Sequence, residues 1–137
     1  CMFVTVFYGI YQLSTGEISY CNAGHNLPYT VKKDGTVMEV QSEINIMVGA
    51  VNGFQYKEDK LQLQPGDSLV LFTDGVTEAF NNEDVAYGEN RLEALLSTQA
   101  NKESRAIIDN VLDDVHSFVK DAPQSDDITL LVLTRKS

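Results

Sequence analysis

Thiols are scarce in this sequence, with only Cys1 and Cys21 among 137 residues. Two are too few for a disulfide scaffold, and the pair lacks the spacing of a zinc site, so both are expected to be reduced and structural. Positive charge is equally thin. Ten Lys and Arg stand against twenty Asp and Glu, a net charge of −10 with a pI near 4.4. That balance excludes recognition of nucleic acid or an anionic membrane, because both need clustered cations to displace counterions. The complementary partner is basic, cationic or metallic, although most of such an excess simply solvates a soluble surface. Long apolar runs are also missing. Nothing approaches the roughly 18 to 20 residues of a membrane span, and the opening CMFVTVFYGIYQL carries no basic leader or cleavage site. A soluble, cytoplasmic domain is expected, with tethering of any parent protein left open. Neither a repeat nor a linker nor a low-complexity stretch divides the chain, so its length supports one ordinary core.

What is present is a succession of strand and turn signals. From Met2 to Tyr11 both alternating sets are β-branched or aromatic, with Met2, Val4, Val6 and Tyr8 on one side and Phe3, Phe7 and Tyr11 on the other. Such a strand is expected to be covered on both faces. It begins at Cys1 without a cap or turn, which reads as a piece cut from a longer protein. Ser14-Thr15-Gly16 turns the chain into a second strand over Glu17–Asn22, and a turn at Asn22–Asn26 leads to Tyr29–Lys32. Asp34-Gly35 is a two-residue hairpin signal ahead of Val37–Val40, and these four strands are expected to form one meander. Lys57–Leu63 resembles a short polar edge strand. Pro65-Gly66-Asp67 turns into Ser68–Thr73, another strand apolar on both faces.

Two helices follow. Gly88–Ser97 places Leu92, Leu95 and Leu96 on one side, and Ser104–Lys120 aligns Ile107, Ile108, Val111, Leu112, Val115, Phe118 and Val119 at helical period. After Pro123 the chain closes with Ile128–Leu133, expected to be a last buried strand. Antiparallel strands and segregated helices make an α+β layer fold. Two helices cover only one face of a sheet, so the other face is expected to need a second sheet supplied from upstream.

The informative carboxylates lie at strand ends. Asp74 follows one apolar strand, and Asp126 and Asp127 precede another. If the two strands are antiparallel neighbours, these acids converge at one edge. Convergent carboxylates repel unless a hard cation such as Mg²⁺ or Mn²⁺ holds them together. Taken by itself, the same pattern is also ordinary turn chemistry, with Asp74-Gly75 a turn and Asp126 a cap.

Several motifs carry a resemblance. Met2-Phe3-Val4-Thr5, Asn22-Ala23-Gly24-His25-Asn26, Pro65-Gly66-Asp67 with Phe72-Thr73-Asp74-Gly75-Val76-Thr77-Glu78-Ala79, Tyr87-Gly88 and Asp126-Asp127-Ile128-Thr129 stand in family order over nearly the whole chain. Together they resemble the SpoIIE-like branch of the PPM (type 2C) metal-dependent protein serine/threonine phosphatases. The resemblance implies an antiparallel β-sandwich flanked by helices, with a two-metal Mn²⁺ or Mg²⁺ centre. Residues 1–137 would be the C-terminal portion of a single truncated domain. Asp74 and Asp126 match metal-ligand aspartates, and Asp127, a further candidate for the metal site, matches a place where eukaryotic relatives tend to have asparagine. His25 stands where those relatives carry an acid linked to a third metal, which speaks against a third metal here. A turn histidine satisfied by backbone is its other reading.

The implied chemistry is hydrolysis of a phosphate monoester on a regulatory protein, such as an anti-sigma-factor antagonist. The carboxylates would act as ligands rather than nucleophiles. The family's upstream half supplies further ligands, so the 137 residues alone are expected to be nearly inactive and to self-associate through uncovered strands. Two other readings compete: a phosphatase-like module that serves only as a sensor or docking domain, and a plain β-rich ligand-binding domain with acidic turns.

Overall fold

The computed structural model describes residues 2–136; Cys1 and Ser137 lie outside the described residues. Ten elements follow in order: β1 (Val6–Tyr11), β2 (Glu17–Ala23), β3 (Tyr29–Val31), β4 (Val37–Glu39), β5 (Asp59–Gln62), β6 (Ser68–Phe72), α1 (Asp74–Thr77), α2 (Gly88–Leu96), α3 (Ser104–Val119) and β7 (Leu130–Thr134). They build two antiparallel sheets, β1-β2-β5 and β4-β3-β6-β7.

The inner face of the first sheet follows the pleat. Ile18, Tyr20 and Asn22 alternate inward along β2, and Phe7 of β1 stacks on Tyr20 with centroids 5.3 Å apart. Leu69 and Leu71 of β6 and Leu133 of β7 meet them from the second sheet. The opposite pleat of β6 presents Val70 and Phe72 to the helices. Both faces of β6 are thus covered, as its two-sided apolar pattern requires. Helix α3 buries Ile107, Val111 and Val115 completely against this sheet, each worth about 1.5–3 kcal/mol of apolar burial. Leu92 and Leu96 do the same from α2. The expected sandwich flanked by helices is therefore the observed architecture.

Four expectations need correction. The first four strands are not one meander: β1-β2 and β3-β4 are hairpins in different sheets, and the loop after Ala23 carries the chain between them. The sheet that covers the face away from the helices is not left to sequence upstream, because β1, β2 and β5 of this chain supply it. The opening run is covered on one face only. Phe7 and Tyr11 pack inward, whereas Tyr8 and Ile10 are exposed, as are Met2, Phe3 and Val4, of which Val4 makes an isolated bridge to Val48. Finally, β7 is an edge strand and only half-buried.

Charge is sorted along the second sheet. Where β6 begins, Lys32 and Lys33 follow β3, and Arg135 and Lys136 follow β7. Lys102 lines the same surface depression as Arg135 and Lys136, and Arg105 lies in the first turn of α3. Six of the ten cations gather there, three of them paired with Asp67, Asp109 and Glu103. Where β6 ends, the acidic side chains are Asp74, Glu78, Asp126 and Asp127, with Lys120 lining the adjoining cleft. Among the described residues no helix is long and apolar enough to cross a membrane.

Candidate functional site

The carboxylate corner is made by the exit of β6 and the entrance of β7. These strands pair antiparallel up to Phe72 opposite Leu130, and the pairing continues past the ladder through Thr73. Its N–H donates to Thr129 O at 3.1 Å. Its hydroxyl donates to Asp127 O at 3.0 Å and accepts from Thr129 N at 3.0 Å. One side chain therefore ties the approach to Asp74 directly to the segment carrying Asp127.

Asp74 opens the single turn of α1, where the sequence pattern suggested a plain turn. The next residue controls the spacing. A Cβ on Gly75 would lie 2.2 Å from Asp127 O, so the two backbone segments approach each other as only glycine allows. On the other side of the corner, Ser125 Oγ donates to Glu78 O at 3.1 Å, which fastens the loop before β7 to the end of α1.

Each predicted residue has a defined place. Asp74 is exposed, and one of its oxygens, Oδ1, accepts a hydrogen bond from Asn26 Nδ2. Asp126 is exposed, with Oδ1 accepting from the Asp127 N–H at 2.7 Å, while its carbonyl accepts from Gln124 Nε2 at 2.7 Å. Asp127 is exposed and contributes its carbonyl to Thr73. His25 is held in its turn: its N–H donates to Asn22 Oδ1 at 2.8 Å, and ring Nδ1 lies 3.0 Å from Asn26 O. That arrangement supports the backbone-satisfied reading of this histidine. Sequence reasoning assigned no role to Asn26 or Thr73. Both lie inside motifs already singled out, and that was the available signal.

None of the ion pairs among the described residues engages Asp74, Asp126 or Asp127. Their charge is not neutralised by lysine or arginine. An all-oxygen donor set of this kind suits a hard divalent cation. It does not complete a coordination shell, since among the described residues no group of three or more His, Cys, Asp and Glu converges closely enough to hold an ion. Beside the corner, Gly75, Phe80, Val119, Ser125 and Ile128 help to line a cleft of about 160 Å³.

Comparison with known proteins places this geometry. The family model described as Stage II sporulation protein E (SpoIIE) matches residues 1–136. The chain belongs to the SpoIIE family. It is 31% identical over 136 residues to Phosphoserine phosphatase RsbU of Bacillus subtilis, covering 98% of this chain and 40% of that protein. It is 30% identical over 134 residues to Protein IcfG of Synechocystis sp., covering 98% of this chain and 21% of that protein. The chain thus spans less than half the length of either relative. In fold it is similar to the phosphatase domain of the cell fate determinant SpoIIE from Bacillus subtilis, with a TM-score of 0.73 at 21% identity over 97% of this chain and 59% of that one. It is also similar to the RsbU and RsbW domains of Rv1364c from Mycobacterium tuberculosis, with a TM-score of 0.69 at 24% identity over 96% of this chain and 36% of that one. The sandwich expected from the sequence motifs is the fold of these SpoIIE-type domains.

Proposed function

We propose that this chain is the part of a metal-dependent protein serine/threonine phosphatase domain that contributes Asp74 and Asp126 to a divalent metal centre. Its substrate class would be phosphoserine or phosphothreonine on a cytoplasmic regulatory protein. The observation that carries the reading is the joining of Thr73-Asp74-Gly75 to the Asp126-Asp127 segment across β6 and β7, in a chain of the SpoIIE family. The name of the relative RsbU, a phosphoserine phosphatase, supports the substrate class.

In this reading Asp74 and Asp126 are ligands, not nucleophiles, and Asp127 supports them from the adjoining position. When bound, such a centre supplies an activated water and charge neutralisation for in-line displacement at phosphorus. The chain's own contribution is to hold oxygen donors beside a cleft that Lys120 also lines, with none of the three aspartates in an ion pair among the described residues. Gly75 and Thr73 keep those donors at a fixed backbone spacing. The carboxylates available here are few, so the 137 residues by themselves would bind Mn²⁺ weakly.

The decisive experiment replaces Asp74 or Asp126 by Asn in the full-length protein. Mn²⁺ binding by calorimetry and hydrolysis of a phosphoserine protein should fall together, by at least about 10²-fold for turnover, as expected when the group stabilising the transferred phosphoryl is lost. Unchanged Mn²⁺-dependent turnover in D126N would overturn the assignment.

A further inference from the structure

The loop between β2 and β3 is built more rigidly than a connection requires. Asn22, at 5% exposure, uses both ends of its amide on one residue: Oδ1 accepts from His25 N at 2.8 Å and Nδ2 donates to His25 O at 2.9 Å. Gly24, at φ +74, closes the turn, and a side chain there would run into Met47. The His25 ring lies against the Asn26 carbonyl. The outcome of these constraints is that the Asn26 amide, 48 residues away in sequence, donates to Asp74 Oδ1.

We infer that Asn26 is a positioning residue for Asp74, and that Asn22-Ala23-Gly24-His25-Asn26 is a clasp that fixes one carboxylate oxygen so that the other faces the cation. The inference rests on the reading of Asp74 as a metal ligand. An ionised carboxylate has two oxygens with about four acceptor positions between them. One neutral donor occupies a single position and leaves the carboxylate its full charge, whereas a lysine or arginine in the same place would compete with the metal. An exposed aspartate with no such donor would sample several rotamers, and ordering it would be a cost charged to metal binding. Partners that orient a ligand in this way typically change metal affinity by about 10- to 100-fold when removed. The clasp also joins the two sheets, because the loop leaves β2 in one and Asp74 follows β6 in the other.

The test uses the full-length protein and the variants N26A and D74N, with Mn²⁺ affinity read by calorimetry and folding by thermal midpoint. In N26A the affinity should drop about tenfold with a midpoint near that of the wild type, and in D74N binding should be abolished. If D74N abolishes binding while N26A stays within about twofold, far from that tenfold loss, the clasp is wrong and the metal reading stands. If D74N itself binds Mn²⁺ normally, the ligand assignment and the clasp fall together. Should N26A not fold, the metal-free proteins decide by NMR. The Asn26 side-chain amide resonance should move between wild type and D74N, and an unmoved resonance overturns the contact on which the inference stands.

Discussion

A methyl group on residue 75 would lie 2.2 Å from the Asp127 carbonyl oxygen and 2.7 Å from its carbon. Both are backbone atoms held by the Thr73 hydroxyl, so neither can swing aside as a flexible side chain would. G75A is therefore expected to cost about 3 kcal/mol, the upper end of ordinary overpacking, and to open the carboxylate corner as it does so. A shift in the urea midpoint together with weaker Mn²⁺ binding in the full-length protein would bear this out, and a variant as stable as the wild type would contradict it. This glycine was legible only as half of an Asp-Gly turn. The need for it is steric and comes from a segment more than fifty positions later, so no local pattern could announce it. Asn26 was hidden for the same reason, because its partner depends on how the turn around Gly24 closes. That Asp74 and the Asp126-Asp127 segment stand at the same end of the β6–β7 pair was legible, since it requires only that two apolar strands pair antiparallel and that acids flank the shared end.

Among the elements, legibility followed the strength of the apolar pattern. The stripe of α3 and the two-sided run of β6 were readable because burial itself wrote them. The division into sheets was not. Turn chemistry at Asn22–Asn26 says that the chain changes direction, but not which sheet receives it, and the polar β5 gave no sign that it pairs with β2. One residue holds several of these elements in register. Asp67, at 2% exposure, accepts from Lys32 Nζ at 2.9 Å, Gln64 N at 2.9 Å and Lys33 N at 3.2 Å, and so links the turn before β6 to the ends of β3 and β5. Burial pushes its carboxyl upward, but the Lys32 ammonium and the two N–H donors together outweigh burial and hold it below the ordinary range. A depressed carboxylate stabilises the fold above its unfolded value, near 3.9, and that contribution is lost as pH falls through its lower folded value. D67N should thus cost about 2 kcal/mol at neutral pH and much less at pH 3. Urea titrations at the two pH values check the sign, and an equal loss at both would show that the charge is irrelevant.

On the scale of the whole molecule, a good deal of apolar surface remains open. Tyr8, Ile10, Leu13 and Leu131 are more than half exposed. Between the two sheets, Phe7, Tyr11, Ile18, Leu69, Leu71 and Leu131 line an open gap of about 220 Å³, flanked by the edge strands β1 and β7. Open edges beside apolar surface favour association, so the 137-residue chain in isolation is expected to form dimers or larger species. Light scattering over a concentration series measures this, and a monomer throughout would refute it. The sorting of charge along β3, β6 and β7 has a different kind of consequence. Three of the six cations at one end are paired with Asp67, Glu103 and Asp109, whereas Asp74, Asp126 and Asp127 at the other end enter no ion pair among the described residues. On the proposed reading, an anionic ligand would meet unneutralised carboxylates at that end until a cation had bound. The same reading would then put metal before substrate, with a bias that fades as salt screens it.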